Sequence, residues 1–133
     1  MPIIIGVNHE AKRVDAVAIG NVTYADVEDH LLAEQHFRGL GYGELIDMRA
    51  AAVSWTPIEI DKIVALVQNL SLKTRFGATA VLVATDAVLG MIRTLEIRLE
   101  GTAEIKPFRE EDEARRWLAS RVPRGNAGAT ASG

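Results

Sequence analysis

Residues 78–85 read Ala-Thr-Ala-Val-Leu-Val-Ala-Thr, an almost unbroken apolar run that stops at Asp86. There the spacing changes, and Val88, Ile92, Leu95 and Leu99 recur at intervals of three or four. The first pattern predicts a strand buried on both faces, the second an amphipathic helix packed against it. Gly-Glu-Leu-Ile-Asp-Met-Arg at 43–49 repeats the strand half of the theme, again with an acid at the end of the apolar stretch. Buried strands alternating with one-sided helices imply a mostly parallel sheet covered by helices.

The rest of the chain fits around these elements. Apolar stretches at 3–7 and 13–20, joined by polar residues 8–12, predict an antiparallel hairpin. Thr23 with Asp26 three residues on is a helix-start signal, and the helix runs to about residue 37 with Val27, Leu31 and Phe37 turned inward. Gly39 is placed to end it as the left-handed C′ residue; Gly41 and Gly43 lead into a strand at 45–48, and 50–55 reads as a loop. Thr56-Pro57-Ile58-Glu59 is the clearest helix start, with a hydroxyl at the cap, proline in the first turn and a carboxylate three residues after the cap. Ile60, Ile63, Val67 and Leu70 form that helix's face, and Phe76-Gly77 closes it. A last strand at 103–109 contains Pro107, which suits a sheet edge. A last helix at 110–121 opens on Glu-Glu-Asp-Glu, favourable at the positive end of the helix dipole, and is docked by Trp117 and Leu118. The expectation is an α/β fold: a mixed five-stranded sheet, mostly parallel, with an N-terminal antiparallel hairpin and about four helices, in a single domain over 1–122. Residues 123–133, small, polar and glycine-rich, are expected to form a disordered tail.

Composition narrows the chemistry. Of 133 residues, 48% are hydrophobic but only 5% aromatic, so the core is aliphatic. With no cysteine, there is no disulfide, no thiol nucleophile and no thiolate metal ligand. A net charge of −3 and a pI near 5.6 argue against sequence-independent nucleic-acid binding. The apolar run at 3–7 reads as a first strand rather than a leader, and no run approaches the ~20 residues that span a bilayer. A cytoplasmic protein of bacterial style is expected, with no nucleic acid, no transmembrane segment, no cofactor and no metal.

Four polar residues end the two buried strands: Asp47, Arg49, Thr85 and Asp86. In open α/β sheets these ends face the ligand crevice, so the four are candidates for ligand binding; capping by Thr85 or Asp86 and local pairing by Asp47 compete with that role. His30 lies between Asp26 and Glu34 at helical spacing. Such a stripe could hold a metal or relay a proton, but with one imidazole it reads first as a solvated face with ion pairs. His36 points elsewhere and His9 falls in the hairpin turn. Gly39, Gly41 and Gly43 follow a helix and open a strand, the reverse of a dinucleotide fingerprint. On the helix after Asp86, Ile97 sits roughly 170° from the centre of the buried stripe. With Met91, Arg93 and Glu96 it marks a candidate partner surface, for another protein or for a second copy in a homodimer.

The element order, with Leu45-Ile46-Asp47-Met48-Arg49, Ala80-Val81-Leu82-Val83-Ala84, Leu89-Gly90-Met91-Ile92-Arg93 and Pro107-Phe108-Arg109 before Ala114 and Trp117-Leu118, resembles the STAS, or anti-sigma-factor-antagonist-like, superfamily. More closely it resembles small bacterial proteins grouped with STAS and CRAL-TRIO lipid-transfer domains. The resemblance covers about residues 3–118 and lies mostly in core pattern. It implies a switch: the best-understood members carry an Asp-Ser pair at the start of the second helix, and a kinase phosphorylates the serine. That place falls near Trp55-Thr56, where the pair is absent and Ser54 and Thr56 are the candidate switch hydroxyls. The CRAL-TRIO branch implies a hydrophobic ligand. The expected function is therefore a non-enzymatic regulatory or protein-interaction domain; the alternative is a binder of a small apolar ligand or lipid in the crevice at the strand C-terminal ends. As an N-cap, Thr56 has a measurable role: Thr56→Ala should cost about 1 kcal/mol in chemical denaturation, and unchanged stability would remove the cap assignment.

Overall fold

The computed structural model describes residues 3–121. In chain order the elements are β1 Ile3–Asn8, β2 Arg13–Val22, α1 Tyr24–His36, β3 Gly43–Val53, α2 Pro57–Ser71, β4 Thr79–Leu82, α3 Asp86–Arg98, β5 Ile105–Phe108 and α4 Glu111–Ser120. The strands lie side by side in sequence order, β1-β2-β3-β4-β5. β1 and β2 are antiparallel and every later pair is parallel, each reached through a helix. β5, with Pro107 inside it, is an edge strand, where a missing N–H costs least. No helix among the described residues is long and apolar enough to cross a membrane. The tail expected over 123–133 lies outside the described residues.

Strand alternation divides the core in two. Ile46 and Met48 of β3 and Val81 of β4 pack in the larger cluster with α2 and α3. Their neighbours Leu45, Ala80 and Leu82 point the other way, against Ala114 and Leu118 of α4. Helix α4 packs on β3, β4 and β5, and Ile4, Val17 and Ile19 on that side of the hairpin are exposed.

The β2–β3 register breaks after Val17. Val17 pairs with Asp47 but Ile19 pairs with Ala50, so Met48 and Arg49 together stand opposite Ala18. This bulge turns β3 and lets it continue along Gly20–Val22 as far as Val53, through residues expected to be a loop. Ala50-Ala51-Ala52 have little intrinsic strand preference, and the ladder with β2 overrides it.

Helix α1 departs most from its pattern. Val27 and Leu31 are only half-buried and Phe37 is exposed; the residues α1 buries fully are His30 and Glu34. Its end also differs. Arg38, not Gly39, takes the left-handed position, at φ 60°. Its N–H donates to the Gln35 carbonyl at 3.0 Å, and the Gly39 N–H donates to the Glu34 carbonyl at 2.7 Å, forming a Schellman motif. Helix α2 stops at Ser71, well before Phe76-Gly77. Gly77 instead passes so close to Tyr42 that a Cβ would overlap its carbonyl. Because Arg38 holds a conformation that favours glycine, Arg38→Gly should stabilise the fold by up to about 1 kcal/mol, less whatever the freer unfolded chain takes back. A lower melting temperature in that variant would contradict the assignment.

Candidate functional site

The polar centre of this molecule lies inside its helical layer. Residues one turn apart on α1, His30 and Glu34, face the sheet. Glu44, second in β3, shares the side of Ile46 and Met48 by strand alternation and faces back at them. The three are exposed by only 9%, 3% and 6%. His30 Nε2 lies 2.7 Å from Glu44 Oε2 and 3.5 Å from Glu34 Oε1. A carboxylate only accepts, so Nε2 carries the proton and donates to Glu44. No lysine or arginine reaches the trio among the described ion pairs.

Two carboxyl groups this close and this dry cannot both ionise. Burial is the main force pushing the Glu34 carboxyl up, to about 11; the charge of Glu44 and a hydrogen bond to it push the same way. Glu34 is therefore a neutral acid that donates to Glu44, and Glu44 accepts from both sides. Among the described residues no fully buried side-chain nitrogen or oxygen lacks a hydrogen-bond partner.

Beside this cluster is a cavity of about 120 Å³ between the sheet and helices α1, α2 and α3. Its wall is mostly aliphatic and aromatic: Val22, Val27, Leu31, Ile46, Met48, Trp55, Ile63, Val67, Val81, Ile92, Leu95 and Leu99 contribute, with Thr79 and Glu104 also on the lining and His30 and Glu44 forming a polar corner. The Trp55 indole N–H is already spent on the Val22 carbonyl at 3.0 Å. An apolar cavity of roughly 150 Å³ takes a benzene-sized molecule, so this one has room for a ligand of that order.

The residues singled out in the sequence lie elsewhere. Asp47 and Arg49 form a two-point pair at 2.8 and 3.0 Å, which Arg49 extends to Glu111 at 3.5 Å. The Arg49 guanidinium holds the Asp47 carboxyl below its ordinary range, against the opposing effect of burial. Thr85 caps α3, accepting from the Val88 N–H at 3.2 Å, and Asp86 pairs with Arg109. No described hydrogen bond or ion pair joins the first set to the second. Thr56 caps α2 with Glu59 in a reciprocal box; Ser54 is exposed beside it. On α3, Arg93 and Ile97 are exposed, Ile97 by 71%, and Met91 and Glu96 are half-buried.

Of the stripe Asp26, His30, Glu34, the outer member is consumed in the capping box with Thr23, and the other two turn inward rather than onto a solvated face. The missed partner was Glu44. Its signal was available: in Gly-Glu-Leu-Ile-Asp-Met-Arg, period two puts Glu44 on the side of Ile46 and Met48.

Comparison with known proteins agrees with this architecture. No family model matches the chain, and no curated protein matches it. Among solved structures, an uncharacterized protein from the DUF3478 family with a SpoIIAA-like fold, from Shewanella loihica PV-4, superposes with a TM-score of 0.55 at 22% identity. The match covers 87% of this chain and 93% of that one. The chain thus has the SpoIIAA-like, or STAS, α/β fold, as its strand and helix order led us to expect.

The buried acid makes stability depend on pH. The folded state keeps the Glu34 proton that the unfolded chain releases above its ordinary value of 4.5. Its contribution is therefore intact below that pH and is lost as pH rises toward about 11. Glu34→Gln keeps the shape and the donor to Glu44 but cannot ionise. In denaturation between pH 5 and 9 with chelator present, wild type should lose stability relative to the variant as pH rises; parallel curves would show that Glu34 is already ionised.

Proposed function

We propose that this protein is a non-enzymatic regulatory domain that takes a small apolar ligand in the cavity and presents a protein-binding surface on the outside of α3. The observation that carries the reading is the double role of that helix. Ile92, Leu95 and Leu99 line the cavity, while Ile97, 71% exposed, lies on the other side with Arg93 beside it. A ligand that fills the cavity bears on the inner face of α3, and any shift or stiffening of the helix reaches the outer face directly. Coupling of this kind needs two sites and an element that touches both. Ile97 would anchor the partner, with Arg93 and Glu96 at the rim giving register more than affinity. A second copy of the chain is one such partner.

The non-catalytic reading is supported by the use of the strand-end groups. Asp47, Arg49, Thr85 and Asp86 are engaged in caps and ion pairs, and no nucleophile with base and orienting group is assembled there. The ligand site is thus assigned to the helical face of the sheet rather than to the strand-end crevice. Ser54 and Thr56 remain the hydroxyls a kinase would reach, since both are exposed. Placement in the cytoplasm accords with this role.

Benzene is a suitable probe of the cavity. It should raise the melting temperature of wild type in a concentration-dependent way, by the mass action of a ligand that binds only the folded state. Ile63→Phe, which fills the cavity from α2, should abolish the rise. A wild type indifferent to benzene would remove the ligand site. Ile97→Asp should abolish self-association in sedimentation; a wild type monomeric at micromolar concentration would instead leave the surface to a different protein.

A further inference from the structure

We propose that His30, Glu34 and Glu44 form a zinc site, with the imidazole Nε2 and one oxygen of each carboxylate as ligands and a fourth position open to the apolar cavity. One ligand atom from each residue lies within 4.8 Å of the other two. Nε2 stands 2.7 and 3.5 Å from the nearest carboxylate oxygens. Neighbouring ligands of a tetrahedral zinc, with bonds of about 2.0–2.2 Å, are roughly 3.3–3.6 Å apart, so small side-chain rotations admit the ion.

Three further observations point to a cation. The ligands are anchored on regular elements, two at i and i+4 on α1 and one in β3, so their spacing is fixed by backbone that is itself packed. Each is more than nine-tenths buried, and no basic side chain other than the imidazole faces them among the described ion pairs. Zinc would displace the Glu34 proton to solvent and shift the imidazole proton from Nε2 to Nδ1; two carboxylates with a neutral imidazole then sum to −2, which one divalent cation cancels, and the filled site is neutral where water is scarce. Finally, His30 and Glu44 lie on the cavity wall, so the metal's remaining coordination faces the apolar space. Three protein ligands with one open position is the arrangement of zinc sites that bind a further molecule, while closed structural sites use four. A nitrogen and two oxygens suit zinc better than a soft thiophilic ion, and the imidazole disfavours calcium or magnesium. The site goes beyond the regulatory reading and does not depend on it: metal uptake and the benzene response are measured separately, so either can fail alone.

The test uses the full chain, stripped of metal by chelation and dialysis. Calorimetric titration with Zn²⁺ should give one ion per chain, and Co²⁺ should develop the visible spectrum of tetrahedral coordination. Glu44→Gln and Glu34→Gln, both of unchanged size, should each weaken Zn²⁺ binding by roughly tenfold or more. The double variant His9→Ala/His36→Ala, which removes the two other imidazoles, should bind as wild type does. Circular dichroism establishes that each variant is folded. No stoichiometric uptake by wild type overturns the proposal, as does uptake that survives both glutamine variants or is lost with His9 and His36.

Discussion

Two carboxyl groups buried together in an aliphatic core cannot both carry charge; here Glu34 keeps its proton, and Glu44 accepts from it and from the His30 imidazole. That constraint bears on how α1 sits. The apolar residues Tyr24, Val27 and Leu31 of this helix are only partly buried against the core; the residues it buries fully are His30 and Glu34. Glu44 meets them from β3 and adds a polar anchor to the apolar contacts that seat the helix. Breaking one partner leaves a buried charge or an unmatched donor, which costs more than the pair contributes when intact. An apolar replacement of the whole cluster could stabilise the fold, so its presence is better explained by what the polar corner can bind than by stability.

The sheet around this cluster is asymmetric. One side carries three helices and the cavity; the other carries α4 alone, seated over β3 to β5. On the side with three helices, α2 contacts both α1 and α3, and side chains of all three also line the cavity. On the side with α4, Ala80 and Ala114 are fully buried between strand and helix.

The strand ends illustrate how local demands consume polar groups. Thr85 and Thr56 begin helices, Arg49 ties β3 to α4 through Glu111, and Asp86 pairs with Arg109 beyond β5. Each solves a need created by the end of an element, where backbone donors or charges lack partners. The bulge that places Met48 and Arg49 opposite Ala18 serves both faces: Met48 stays in the core while Arg49 turns to the acids of α4.

Local spacing carried most of the architecture. The apolar run ending at Asp86, the capped start at Thr56-Pro57 and the hairpin near the start are decided by hydrophobic period and backbone chemistry within a few residues, so the sheet's mixed character and its four helices followed from the sequence. Two of the three candidate-site residues were visible the same way, since His30 and Glu34 stand one turn apart in any helix. What the sequence left open was set by contacts across the fold. The strand character of Ala50–Ala52 comes from pairing with β2. The left-handed turn at Arg38 rather than Gly39 follows from seating Gly39 against Val14. The inward turn of His30 and Glu34 required Glu44, distant in sequence and brought opposite them only when α1 lies on β3. Helical period says which residues share a face, whereas only tertiary packing says whether that face meets water or a buried carboxylate.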